Sequence, residues 1–208
     1  MGSLVLELQR DALDRGIHIT DLLRKALLVS RKLKIKDLEE WIGDELNGYR
    51  DSSVPEYRVV YGELKAFNPY RGWLPIMVKN DWYDILCKRE ISLSVSQIEN
   101  LARESENGNF VCKFSPEQTQ IIMRLIGHDF EAALYVPTHH LVRILDTTKT
   151  KIMDFALDLE SKGILGEDMT FTKAEQSLAQ SITFNTINIE KMEGSQIQQA
   201  TVGSTQSR

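Results

Sequence analysis

A glutamate in the middle of an apolar helix face constrains this chain more than any other feature. Residues 36–49 read KDLEEWIGDELNGY. Wound as a helix at about 100° per residue, Leu38, Trp41, Ile42, Leu46 and Tyr49 gather into one arc with Glu45 at its centre. An unpaired buried carboxylate is costly or shifts its pKa, so Glu45 needs a donor or a cation. The charges nearby are segregated. Arg24, Lys25, Arg31, Lys32, Lys34 and Lys36 come first with no acid among them, and Asp37, Glu39, Glu40, Asp44 and Glu45 follow with no base. The pattern predicts a basic helix folded back on an acidic one. It also predicts a structural polar core, with Arg58 on the following strand as a candidate partner for Glu45. The functional alternative is an acid or base in a cleft.

Composition narrows the classes. With 208 residues and 42% hydrophobic content, a real core is available and wholesale disorder is excluded. One compact domain with a short extension is expected. A net charge of −5 argues against a dedicated nucleic-acid binder and leaves room for a local basic face. Cys87 and Cys112 show no metal-ligand spacing, and they read as small buried hydrophobes in a reducing cytoplasm. The N-terminal residues form an acidic amphipathic helix rather than a signal peptide. Leu6 stands where a myristoylation signal needs Ser or Thr. No run approaches the roughly 18 apolar residues of a membrane span, so no membrane partner is expected.

Capping chemistry sets the predicted helices. Ser3 caps a helix over 4–15 that stops at Gly16, and Thr20 caps one over 21–33. Asn47-Gly48 ends the helix over 36–47. Together these three form an N-terminal helical bundle. Residues 57–67, YRVVYGELKAF, read as one aromatic β-strand with a possible bulge at Gly62. A second strand over 73–78 closes a hairpin through a loop of about five residues, and Pro75 places it at an edge. Short helices are predicted over 82–88 and 94–103, the second with a Ser94/Gln97 capping box. Strands at 110–114 and 132–136 flank a helix opened by Ser115-Pro116-Glu117-Gln118. A long helix runs from about 139 to 162. Its seam of Leu141, Leu145, Thr148, Ile152, Phe155 and Leu159 reads as core-facing rather than as a dimeric coiled coil. Thr172 and Glu175 form a last capping box. The fold class is therefore α+β: a helical bundle, a small mainly antiparallel sheet, a long C-terminal helix and a low-complexity tail.

Several constellations could carry chemistry. Glu63 and Lys65 point to one face of a strand, as in the E-x-K element of metal-dependent nucleases, where carboxylates hold Mg²⁺. The partner Asp on a preceding strand is missing, and an ordinary strand face is the alternative. Arg24, Lys25, Arg31 and Lys32 could hold phosphates or form a solvated face neutralised by the adjacent acids. His139 and His140 point to different faces and cannot easily share a metal. Tyr57, Tyr61, Phe67, Tyr70 and Trp73 read as core and turn packing. No metal site or cofactor is expected. The tail carries Gln196, Ile197, Gln198, Gln199 and Val202, β-prone and without proline. It is a possible assembly segment by cross-β stacking or a disordered end.

Three long blocks carry a resemblance. DLLRKALLVSRKLKIKDLEEWIGDELNGY, VPEYRVVYGELKAFNPYRGWLPI and ILDTTKTKIMDFALDLESKGILGEDMTF are similar in order to the AbiTii domain. That bacterial domain is associated with abortive-infection defence against phage. The resemblance implies a globular domain over residues 1–181, a tail over 182–208, and a cytoplasmic defence protein. It brings no catalytic residue set. With only the tail following, it implies a non-enzymatic sensor or adaptor that self-associates or docks to a defence partner. A nuclease using Glu63 and Lys65 and a nucleic-acid sensor using the basic face are the alternatives.

Overall fold

Local capping explains where most helices begin. The computed structural model describes residues 2–50, 52–77, 80–105 and 108–182, so the tail residues Gln196, Ile197, Gln198, Gln199 and Val202 lie outside the described residues. The elements in chain order are α1 (Leu4–Leu13), α2 (Ile19–Leu33) and α3 (Lys36–Asn47), then a 3-10 turn (Glu56–Arg58), β1 (Val59–Tyr61), β2 (Glu63–Asn68) and β3 (Gly72–Pro75). There follow α4 (Asn80–Leu86), β4 (Lys88–Glu90), α5 (Val95–Glu104), β5 (Asn109–Lys113), α6 (Pro116–Ile126), β6 (Ala132–Pro137), α7 (His139–Ser161) and α8 (Lys173–Ala179). Ser3 accepts from the Leu6 N–H, and the capping boxes at Ser94, Ser115 and Thr172 all form as the sequence predicts. The class is α+β.

Two helix ends differ from expectation. The first helix stops at Leu13, before Gly16, because Asp14 turns extended and its carboxylate accepts from the Gly16 N–H at 2.7 Å. The second starts at Ile19 with His18 at the cap position, so Thr20 lies inside its first turn. Burial of Ile19, at 3% exposure, outweighs a hydroxyl cap here.

The chain divides into two compact units. One holds the residues up to Leu46 and those from Thr148 onward; the other is Asn47–Thr147. In the first, α2 buries Leu22, Leu23, Ala26, Val29 and Leu33 along the predicted wide stripe. The Leu4 and Val5 N–H groups donate to the Gly166 and Leu165 carbonyls. Thr148, Ile152, Phe155 and Leu159 of the α7 seam are all buried, as a core-facing helix requires.

In the second unit a four-stranded antiparallel sheet runs in the order β3-β2-β6-β5, and β1 pairs with β4 in a separate antiparallel ribbon. Leu64, Leu134 and Val136 join Leu86, Ile98, Ile122, Leu141 and Ile144 in its core. The single strand predicted over 57–67 is instead a 3-10 turn and two strands broken at Gly62. A Cβ at Gly62 would lie 2.8 Å from Leu134 Cγ, from the Tyr135 carbonyl oxygen and from Val136 Cγ2. Close approach to β6 therefore excludes a side chain, and the Gly62 N–H turns to the Cys87 carbonyl at 2.9 Å. The β2–β3 hairpin forms with β3 at an edge, through a shorter loop than expected. Its turn is held by Asn68, whose side chain accepts from the Tyr70 and Arg71 N–H groups.

Two glycine substitutions should act in opposite directions. Gly62→Ala forces overpacking against β6 and should cost about 1–3 kcal/mol. Gly43→Ala adds a Cβ with nothing within 4 Å inside α3 and should gain about 0.5–1 kcal/mol from helix propensity. Urea unfolding midpoints of the two variants check both signs.

Candidate functional site

The outward face of the four-stranded sheet follows from register. Alternation sends Leu64 and Ala66 inward and Glu63, Lys65 and Phe67 outward. Phe67 pairs with Trp73 on β3, and Glu63 with Tyr135 on β6. The rings form a continuous row: Phe67 meets Trp73 edge-on at 5.5 Å, and Trp73 meets Tyr135 edge-on at 5.5 Å. Lys65 lies over the Tyr135 ring at 4.7 Å and pairs with Glu63 at 2.9 Å. Phe67 is 40% exposed, and Val111, opposite Tyr135 on β5, is 50% exposed. Beside this face lies a groove of about 380 Å³ lined by Tyr61, Glu63, Ile76, Met77, Tyr83 and Tyr135, among others. Tyr61 and Tyr83 stack at 5.7 Å, and the Tyr61 hydroxyl donates to Asp84. Met77 and the turn residue Tyr70 are each 95% exposed. The aromatic cluster expected to pack in core and turn is thus largely a surface feature.

A second concavity of about 600 Å³ opens in the same unit. Glu56 and Tyr57 reach it from the 3-10 turn, Tyr61 from β1, Lys88 from β4, and His140, Arg143 and Thr147 from one face of α7. Arg143 donates to the Val59 carbonyl at 3.4 Å, and Lys88 stands 3.8 Å from Glu90. Burial, with His139 and Arg143 close by, pulls the His140 imidazole below its usual pKa. Its Nδ1 is shut off from solvent without a hydrogen-bond partner among the described residues. No sequence motif announced this cleft, although the 140, 143, 147 spacing on a helix was the available signal.

The residues singled out from sequence fall in different places. Glu45 is fully buried and accepts from the Thr148 hydroxyl at 3.3 Å. Arg58, also fully buried, donates to the Ile91 and Leu93 carbonyls at 3.0 and 2.7 Å and stacks over the Tyr49 ring at 4.8 Å. The four bases of α2 are engaged within the fold. Lys25 pairs with Asp11 at 2.5 Å and Glu7 at 3.7 Å on α1, and Arg31 pairs with Glu39 on α3 at 3.6 Å. Arg24 pairs with Asp21 at 3.1 Å, and Lys32 donates to the Met169 carbonyl. Complementarity with α3 thus rests on Arg31 alone of the four, and the closest pair goes to α1. In the E-x-K element the ammonium and carboxylate satisfy each other, and β1, the strand before it, carries only Val59, Val60 and Tyr61. Among the described residues no group of three His, Cys, Asp or Glu is placed to hold a metal ion. Burial pushes the thiols of Cys87 and Cys112 up, consistent with small core residues. No described helix is long and apolar enough to cross a membrane.

Comparison with known proteins gives one positive finding. The family model described as AbiTii matches residues 3–184. Nothing matches among curated proteins or solved structures.

The Glu45 site yields a graded expectation. Glu45→Gln keeps the shape and an acceptor for Thr148 and should be tolerated better than Glu45→Ala. The alanine variant leaves a buried hydroxyl without that acceptor and should cost about 1–3 kcal/mol. Equal melting temperatures for wild type and both variants would contradict a packed, hydrogen-bonded carboxylate.

Proposed function

The chain belongs to the AbiTii family, which points to abortive-infection defence against phage, and from that premise we propose that it acts as a non-enzymatic assembly protein. It works in the cytoplasm by self-association, with a sensing or adaptor role in the defence response. The observation that carries this reading is the row of Phe67, Trp73 and Tyr135 on the outward sheet face, exposed at Phe67 and half-buried at Trp73 and Tyr135. Contiguous exposed apolar surface marks interaction sites in soluble proteins. Aromatic side chains are the usual anchors of protein interfaces.

A second copy of the chain is the occupant this surface suits best. The β2–β3 hairpin supplies a knob, the solvent-exposed ring of Tyr70. The groove lined by Tyr61, Ile76, Met77 and Tyr83 supplies a hole. A two-fold pair needs both on one chain, so that each copy gives what it receives. The bases of α2 are already paired with acids or carbonyls, which favours this reading over a nucleic-acid sensor. The mutual pairing of Glu63 and Lys65 favours it over a nuclease.

Light scattering of the full chain over a concentration series tests the reading. The mean mass should rise with concentration. Tyr70→Ser should lower the mass toward that of the monomer while leaving the melting temperature nearly unchanged, because its side chain is 95% exposed. A monomer at every concentration would overturn self-association. A nuclease would instead show itself by Mg²⁺- or Mn²⁺-dependent cleavage of DNA or RNA that Glu63→Gln abolishes.

A further inference from the structure

The cleft formed by the 3-10 turn, β1, β4 and α7 shares Tyr61 with the groove offered to a second copy and otherwise has its own lining, which is specific in character. At about 600 Å³ it lies within the roughly 300–1,000 Å³ range of small-molecule sites. Two cations enter it, and both are loosely engaged. Arg143 reaches a neutral carbonyl at 3.4 Å, and Lys88 stands 3.8 Å from Glu90. Three other cations are held closer, Lys25 to Asp11 at 2.5 Å, Lys65 to Glu63 at 2.9 Å and Arg24 to Asp21 at 3.1 Å, while Arg31 stands 3.6 Å from Glu39. His140 adds an imidazole to the lining. The remaining lining is of another kind. Tyr57, Val59 and Tyr61 give flat apolar walls, and Glu56 gives one carboxylate.

We propose that this cleft binds a nucleoside phosphate. The phosphate lies against Arg143, Lys88 and His140, where charge-assisted hydrogen bonds are stronger than neutral ones. The base packs on the tyrosine and valine walls, and Glu56 accepts from a sugar hydroxyl or an exocyclic amine. A simple anion uses the cations and leaves the aromatic walls and the acid unexplained. An apolar ligand covers Arg143 and Lys88 and strips them of water without offering them an acceptor. A ligand with a phosphate, a ring and hydrogen-bond donors meets all three parts of the lining.

Titration calorimetry of the full chain with AMP, GMP, CMP and UMP, and separately with adenosine and inorganic phosphate, tests the assignment. At least one nucleotide should bind one-to-one and saturably, and adenosine and phosphate should each bind at least about tenfold more weakly. Arg143→Gln and Lys88→Gln should each weaken that nucleotide by about tenfold or more. Lys113→Gln, on β5 outside the cleft, should leave it unchanged, and all three variants should melt with wild type. Absence of saturable binding by every nucleotide would overturn the proposal. So would adenosine binding as tightly as AMP, or full affinity in a folded Arg143→Gln protein.

Discussion

Among the described residues Arg58 has the largest fully buried side chain, and the unit Asn47–Thr147 depends on how its charge is met. Taking a guanidinium out of water is expensive unless donors find acceptors. Here its N–H groups donate to the Ile91 and Leu93 carbonyls, and its flat face lies over Tyr49. The backbone repeats the grip. The Tyr49 N–H donates to the Ser92 carbonyl at 2.8 Å, and the Ile91 N–H donates to the Arg58 carbonyl at 3.0 Å. Gly48 holds φ at +87°, and a Cβ there would sit 2.8 Å from the Ser92 oxygen. One buried cation thus ties residues 48–58 to residues 91–93. It starts the β1–β4 ribbon whose side chains wall the cleft.

Glu45 is likewise fully buried, in the other unit. A carboxylate needs donors, and Thr148 on α7 supplies a hydroxyl. The sequence showed that Glu45 must be buried and satisfied, because its position in the arc is a property of one helix. It could not show which donor would arrive, because Thr148 lies 103 residues away. The same boundary separates what was legible from what was not. Capping boxes at Ser94, Ser115 and Thr172 are local chemistry and could be read directly. The break at Gly62 depends on β6, and β4 is a three-residue charged segment, Lys88–Glu90, with no alternation to reveal it. It is a strand only because β1 offers it hydrogen bonds.

The two candidate surfaces obey that rule too. The row Phe67, Trp73 and Tyr135 joins three strands, and only register decides that these rings share a face. In the sequence the first two looked like core. Sheet order turns them outward, because Leu64, Leu134 and Val136 already fill the inner side. The cleft is less legible still. It takes its charge from β4 and α7 and its walls from the 3-10 turn and β1, four elements scattered through residues 56–147.

Charge location matters more here than charge total. A net charge of −5 sets a weak, screened repulsion for polyanions at a distance. It says little about a concave site, where low-dielectric walls strengthen whatever charges line it. The α2 bases are the densest basic cluster in the sequence, yet Asp11, Glu7, Asp21, Glu39 and the Met169 carbonyl engage them. A polyanion binding there would have to break those contacts first. Lys88 and Arg143 are less conspicuous in the sequence, and their contacts in the fold are long. An anion entering their cleft displaces only a long carbonyl contact and a long, exposed ion pair. On the reading proposed above, the concave setting of a cation, rather than the density of cations along the chain, decides where this acidic protein accepts a negative charge.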